Sequence, residues 1–180
     1  MKKVNLGCGD FHLEGYINVD IREKVKPDVV ADILKGLPFD SRTIDEVTCS
    51  EFLEHFTPEE VVMVIKEINT ILKYGGIFEF GLPDGIKCAS LLGHHYWENQ
   101  RREDVEYLWN NVNGQRNRAE GYKENQDEIN ARSHKNLFNE QYLTLLLEKY
   151  GFKDIKFGQH MKAYDKWKEP YKLIGTAIKC

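Results

Sequence analysis

Short apolar runs separated by glycine, proline or acidic residues dominate the chain. Most of these runs are rich in β-branched side chains, have the length of a strand, and end at an acidic or small residue. The pattern predicts seven strands, at residues 4–6, 16–20, 27–32, 45–49, 77–82, 152–157 and 173–178.

Outside the segment 85–132, two stretches repeat with a helical period instead. In the first, Thr57 and Glu60 have the spacing of a capping box, apolar residues at 61–72 form one face, and Gly75 is predicted to end the helix after Lys73. The second helix is predicted to begin after the N-cap residue Asn139 and to end at Gly151.

Strands that alternate with helices predict an α/β fold with a mostly parallel, twisted sheet and right-handed crossovers. Ligands of such sheets bind at the carboxyl ends of the strands. The glycine and acidic residues that follow the predicted strands are therefore the first candidates for a binding site.

Composition narrows the class of protein. The chain has 180 residues, which suits one domain (1–180), and 41% hydrophobic residues exclude general disorder. A net charge of -4 argues against nucleic acid as the main partner. The sequence lacks a run of about 18 apolar residues, the usual mark of a membrane span. Four scattered cysteines predict reduced thiols in a cytoplasmic protein.

Three features follow consecutive predicted strands. Gly7 and Gly9 form a Gly-x-Gly turn that lets a ligand approach the backbone closely. Asp20 ends the second strand, where a carboxylate can accept both hydroxyls of a ribose. Asp32, followed by the apolar Ile33, suits an adenine ring. Each feature alone is also compatible with an ordinary turn.

The order of the motifs resembles class I S-adenosylmethionine-dependent methyltransferases, and in particular a type 11-like branch of predicted methyltransferases. The resemblance rests on VNLGCG at 4–9, GYINVD at 15–20, Asp32 with LPF at 37–39, IDEV at 44–47, LEHF at 53–56, LKYGG at 72–76, LPD at 82–84, HK at 134–135 and GF at 151–152. It implies a Rossmann-like sheet of about seven strands whose last strand is antiparallel.

The same resemblance implies S-adenosylmethionine as cofactor and an oxygen or nitrogen of a small-molecule or sugar-like acceptor as the methylated atom. An adenosyl-ligand-binding protein without methyl transfer is the alternative. The residues implied to contact the cofactor are Leu6, Gly7, Cys8, Gly9, Asp20, Ile21, Asp32, Ile33 and Ser50.

One spacing departs from the family pattern. Only ten residues separate Gly9 from Asp20, whereas the dinucleotide fingerprint places its acidic residue about 20 residues beyond the glycines. We therefore expect the first crossover helix to be reduced or absent, with at most one turn around residues 11–13. One face of the sheet is then short of cover, and either the segment 85–132 or a second copy of the chain, as a homodimer, is expected to pack there.

Two histidines are candidates for the base that takes a proton from the acceptor, His134 and His55. Each is also explained by a capping or hydrogen-bonding role. If residues 51–55 are helical, Glu51, Glu54 and His55 share one face, a spacing similar to the metal motif of two O-methyltransferase groups, the ubiquinone-pathway and small-RNA 2′-O-methyltransferases. Because the same Glu-His pair occurs in metal-free relatives, the prediction is that no metal is used.

The segment 85–132 interrupts the pattern with clustered histidine and aromatic residues followed by polar sequence. Segments at this place usually provide acceptor specificity in the fold that the chain resembles. His94, His95 and Tyr96 are therefore the predicted acceptor contacts, and a surface excursion packed on the sheet is the alternative.

Overall fold

The protein is built around a seven-stranded sheet. Its structure is a computed structural model that describes residues 1–90, 134–158, 161–164 and 171–180. The strands run in the order β3-β2-β1-β4-β5-β7-β6, and β7 is antiparallel to both of its neighbours. Their bounds are β1 Lys3–Leu6, β2 Ile17–Asp20, β3 Val29–Val30, β4 Ile44–Ser50, β5 Leu72–Pro83, β6 Phe152–Gly158 and β7 Lys172–Lys179. This arrangement confirms the predicted α/β fold with an antiparallel last strand.

Helix α1 (Pro58–Ile71) begins as the sequence predicts but ends earlier. The Thr57 side chain accepts from the Glu60 amide, and the Glu60 side chain accepts from the Thr57 amide. The predicted end at Lys73 is wrong, because Leu72 is already extended and pairs with Ile44 of β4. That pairing lengthens β5, which therefore runs through the two glycines that were expected to stop the helix.

Helix α2 (Glu140–Lys149) is confirmed at both ends. The Asn139 side chain accepts a hydrogen bond of 2.8 Å from the Tyr142 amide, as an N-cap residue does. Gly151 follows the helix with a φ of +86°, a left-handed conformation that glycine adopts at little cost.

One face of the sheet packs against α1 and α2. In register across the sheet, Val4, Val47 and Phe78 share this face, and all three are fully buried in the same apolar cluster as the inward side chains of the helices. The buried helix residues are Val61, Val64, Ile65, Ile68, Ile71, Leu143, Leu146 and Leu147.

The opposite face carries polar residues where the core face is apolar. Asn18, Asn5, Thr48, Glu79 and Thr176 are register partners on five neighbouring strands, and they form what we call the polar row. The described residues 7–16 between β1 and β2 form turns without a helix, so the predicted loss of the first crossover helix is confirmed. The helix that would cover this row in a longer crossover is missing.

Part of the connector between β6 and β7 lies on the polar row. The Glu79 carboxylate accepts the Lys162 amide at 2.7 Å and the Ala163 amide at 3.2 Å. The Tyr164 hydroxyl donates to Asn5 Oδ1, and Met161 is buried beside it. No local pattern in the sequence indicates this cover, and the packing of the segment 85–132 or of a second copy of the chain on this face remains a prediction.

Among the described residues, no helix combines the length and the apolar character needed to cross a membrane.

Candidate active site at the carboxyl ends of the parallel strands

A cleft of about 710 Å³ opens at the carboxyl ends of β1, β2 and β4. Its volume lies within the range of small-molecule sites. The cleft walls include six of the nine predicted cofactor contacts, namely Leu6, Gly7, Asp20, Ile21, Asp32 and Ile33. The other three, Cys8, Gly9 and Ser50, are not on its surface.

The Gly7–Gly9 turn has a conformation that needs glycine. Gly7 has a φ of +64° and Gly9 a φ of +53°. A Cβ atom on Gly7 would lie only 2.3 Å from the ring of Phe52, which packs directly over the turn. Cys8 between them is buried, and its amide donates to the carbonyl of Val19 on β2. The turn therefore brings bare backbone to the cleft beside an aromatic ring.

The Asp20 carboxylate is buried at the end of β2 and accepts four hydrogen bonds. The Gly9 amide donates to Oδ2 at 2.8 Å, and the Arg22 amide donates to Oδ1 at 2.9 Å. The Arg22 guanidinium adds a bond to each oxygen, at 3.0 Å from Nε to Oδ1 and 3.1 Å from Nη2 to Oδ2. Burial alone would raise the pKa of Asp20, but these bonds outweigh it and hold that pKa below its usual value.

Asp32 lines the cleft and also caps a single 3₁₀ turn at Ile33–Lys35. Its carboxylate accepts the Leu34 amide at 3.1 Å and lies 3.3 Å from Lys35 Nζ. The side chain therefore organises the turn that presents Ile33 and Leu34 to the cleft.

Beyond Phe52, the cleft wall reaches a group of acid–base side chains. His55 ends a 3₁₀ turn at Leu53–His55 and lines the cleft. His134 reaches it from a distant part of the chain, with its ring centroid 5.1 Å from that of His55. The amides of Lys135 and Asn136 both donate to the Glu54 carbonyl, which holds this returning segment in place. The two predicted catalytic histidines are thus neighbours.

Glu54 lies behind these histidines and is almost completely buried. Its Oε1 is 3.8 Å from His134 Nε2, and neither carboxylate oxygen has a hydrogen-bond partner among the described residues. Burial is the main cause that raises the pKa of Glu54 well above its usual value, and the nearby charge of Glu51 is the second. Sequence analysis named Glu54 only as a possible metal ligand, whereas the structure puts it beside the candidate base.

The spacing argument for a metal is only partly met by this geometry. Glu51 has a φ of +52° and lies outside the 3₁₀ turn, 3.3 Å from the buried Lys172 Nζ. The residues whose ligand atoms lie within 4.8 Å of one another are Glu54, His55 and His134. One carboxylate and two imidazoles suit a first-row divalent cation. The positive charge of Lys172, close enough to act on Glu54, opposes a cation there.

Several cleft residues were missed by sequence analysis. Phe52 and Arg22 line the cleft but belong to no motif that the sequence indicated, and Lys135, also on the cleft wall, was part of the HK motif without an assigned role. Only Arg22 had a usable signal, since it is a cation two residues after the acidic end of a strand. The predicted acceptor contacts His94, His95 and Tyr96 lie outside the described residues.

Residues 14–80 match the family model of a methyltransferase domain. A search of curated protein sequences finds no match.

Solved structures resemble the chain over nearly all of its length. A SAM-dependent methyltransferase from Archaeoglobus fulgidus has a TM-score of 0.61 at 18% identity, covering 99% of this chain and 86% of the other. The PH0226 protein from Pyrococcus horikoshii has a TM-score of 0.61 at 16% identity, covering 99% and 82%. Magnesium protoporphyrin IX methyltransferase from Synechocystis, with bound SAH, has a TM-score of 0.57 at 14% identity, covering 100% and 74%.

The chain therefore has the fold of the class I S-adenosylmethionine-dependent methyltransferases, and its residues 14–80 match a methyltransferase domain, which confirms the resemblance indicated by the sequence motifs.

Proposed function

We propose that this protein is an S-adenosylmethionine-dependent methyltransferase that acts on an oxygen or nitrogen of a small-molecule acceptor. The observation that carries the proposal is the continuity of one cleft. Its wall runs from Gly7 and Asp20, which suit an adenosyl ligand, to His55, which stands beside His134. A cofactor and an acceptor bound in this cleft would meet next to a candidate base.

The residues of the cleft fit an adenosyl group. The Gly7 turn gives access to backbone, the Asp20 carboxylate suits a ribose diol, and Ile33 offers an apolar surface to a base. When bound, S-adenosylmethionine supplies a methyl group that its sulfonium already activates. The protein then has to hold the acceptor atom in line with that methyl and exclude water.

For a hydroxyl acceptor, a base must also remove the proton. His134 suits this task because the imidazole that gains the proton lies 3.8 Å from the Glu54 carboxyl group. The raised pKa of Glu54 favours its neutral form, but a positive charge on His134 would favour the ionised carboxylate, and burial would strengthen the resulting attraction. His55, in contact with His134 and on the cleft surface, is the second candidate for the same role.

Two measurements test the proposal. Calorimetric titration with S-adenosylmethionine and S-adenosylhomocysteine measures binding, and transfer of labelled methyl to a metabolite extract measures the reaction. We expect His134→Asn to lower kcat by about 10²-fold or more if it is the base, with binding of S-adenosylhomocysteine unchanged. His12→Asn is the matched control, because His12 is exposed and outside the cleft.

The outcomes separate the proposal from its alternative. Binding without methyl transfer to any component of the extract would favour an adenosyl-ligand-binding protein. Absence of heat with both ligands would contradict both functions. An unchanged kcat in His134→Asn and in His55→Asn would leave methyl transfer intact but refute the assignment of the base.

A further inference from the structure

The hydrogen bonds of Asp20 leave no acceptor position open for a ligand. An ionised carboxylate offers about four lone-pair positions, two on each oxygen. Backbone amides take one position on each oxygen, from Gly9 and from Arg22. The Arg22 guanidinium takes the remaining position on each. The carboxylate assigned to the ribose is therefore saturated by its own chain.

The two positions held by the guanidinium are the two that a vicinal diol needs. If the Arg22 side chain moves away, one acceptor position opens on Oδ1 and one on Oδ2, while both backbone bonds stay in place. Two adjacent hydroxyls can then donate one hydrogen bond to each oxygen. Arg22 Nε and Nη2 present the same pair of donors to the same pair of atoms.

The surroundings allow this exchange without rebuilding the turn. The Arg22 side chain is 31% exposed at the cleft, whereas that of Asp20 is 5% exposed. The guanidinium lies over the glycine turn, where a Cβ on Gly9 would be 3.2 Å from Nη2. Because the Arg22 amide keeps its own bond to Asp20, the side chain can swing out while the backbone remains fixed.

We propose that the Arg22 guanidinium stands in for the vicinal diol of the ligand, competes with it for Asp20, and so sets both the affinity of the cleft and its requirement for two adjacent hydroxyl donors. This inference rests on the proposed adenosyl site. Arg22 then weakens ligand binding instead of contributing to it. Removal of the Arg22 side chain should therefore increase the affinity for the ligand.

The affinity test compares three variants by calorimetric titration with S-adenosylhomocysteine. We expect Arg22→Ala to bind about fivefold more tightly than the unmodified protein, the effect of losing one partly exposed ion pair as competitor. Arg22→Lys should fall between the two, because an ammonium cannot supply the paired donors. Lys153→Ala is the control for the loss of one positive charge, since Lys153 is exposed on β6.

A second test follows the guanidinium itself in the unmodified protein and does not depend on the Arg22→Ala variant. In ¹⁵N NMR spectra, the Nε–H of Arg22, identified by its loss in Arg22→Lys, should shift when adenosine is added. The same concentration of 2′,3′-dideoxyadenosine, which lacks the diol, should leave it in place.

The outcomes distinguish failure of the inference about Arg22 from failure of the proposed methyltransferase function. If S-adenosylhomocysteine binds but Arg22→Ala binds equally or more weakly, the inference is wrong and the proposed site stands. If adenosine binds but the Arg22 Nε–H signal does not shift, the inference about Arg22 is also wrong. If no adenosyl ligand binds to any form of the protein, the proposed function fails and this inference fails with it.

Discussion

Replacing Glu79 by alanine tests how the polar row is covered. Glu79 is buried on β5, and its carboxylate accepts the amides of Lys162 and Ala163 and the hydroxyl of Thr48. Two of these bonds tie the β6–β7 connector to a face of the sheet that lacks a crossover helix. The substitution removes all three acceptor contacts at once while leaving the apolar face of the sheet untouched.

The expected loss follows from the partners that remain. Hydrogen bonds to a charged group contribute about 1.5–3 kcal/mol each, but removing the carboxylate also removes the cost of burying its charge. Lys162 is exposed, so water can replace the acceptor for its amide, whereas the half-buried Ala163 amide has less access to water. We therefore expect the free energy of unfolding to fall by about 2–3 kcal/mol.

Urea denaturation followed by circular dichroism measures this loss, and hydrogen exchange locates it. The amides of Lys162 and Ala163 should exchange faster in Glu79→Ala by local opening, while those of α1 should exchange faster only as far as the global stability falls. Lys162→Ala is the control, because it keeps the amide and removes only an exposed side chain; it should change stability by less than about 0.5 kcal/mol. A loss below about 0.5 kcal/mol in Glu79→Ala would show that the hydrogen bonds of Glu79 to the connector do not stabilise the fold.

Three further predictions concern the cleft and the thiols. Gly7→Ala should lower the free energy of unfolding by about 3 kcal/mol in thermal unfolding, because the strain of a left-handed φ and the clash with the Phe52 ring add together. The control Gly15→Ala, at a φ of +78° with open space around it, should lower it by only about 1 kcal/mol. Equal losses in the two variants would contradict the role of the Phe52 ring. Burial raises the pKa of Cys8 and Cys88 to about 11 and that of Cys49 well above its usual value. These three buried thiols therefore stay protonated at pH 8, so a disulfide reagent should react rapidly with one thiol, the exposed Cys180, and with none in Cys180→Ser. Methyl transfer should persist in EDTA, because the positive charge of Lys172 beside Glu51 and Glu54 opposes the binding of a cation there. A loss of activity that Mn²⁺ or Zn²⁺ restores would instead indicate a metal bound by Glu54, His55 and His134.

Local sequence predicted the elements whose signals lie within a few residues. The capping box of α1 and the N-cap of α2 at Asn139 are interactions across three residues, so their residue types alone indicate them. The missing crossover helix followed from chain length, because ten residues between Gly9 and Asp20 cannot form a crossover with a helix. Asp20 was predicted at the ligand-binding edge of the sheet because it ends a predicted strand.

The end of α1 shows where local signals fail. Gly75 and Gly76 are strong helix stops, yet the helix ends at Ile71 because Leu72 pairs with Ile44, a residue 28 positions away. The free energy of that pairing comes from the sheet and is invisible in a helical window of sequence. For the same reason, nothing near Glu79 indicated that its partners would be the amides of Lys162 and Ala163.

Residue patterns alone indicated the succession of strands and helices, the glycine turn and the acidic end of β2, because periodicity, capping and turn preferences act over short distances along the chain. Only the tertiary structure decided that His134 meets Glu54 and His55, and that connector residues cover the polar row. These contacts join residues about 80 positions apart in the sequence, so they depend on how the whole chain folds. The saturation of Asp20 by Arg22 is intermediate: the two residues are neighbours in sequence, but only the folded turn brings the Gly9 amide to the same carboxylate.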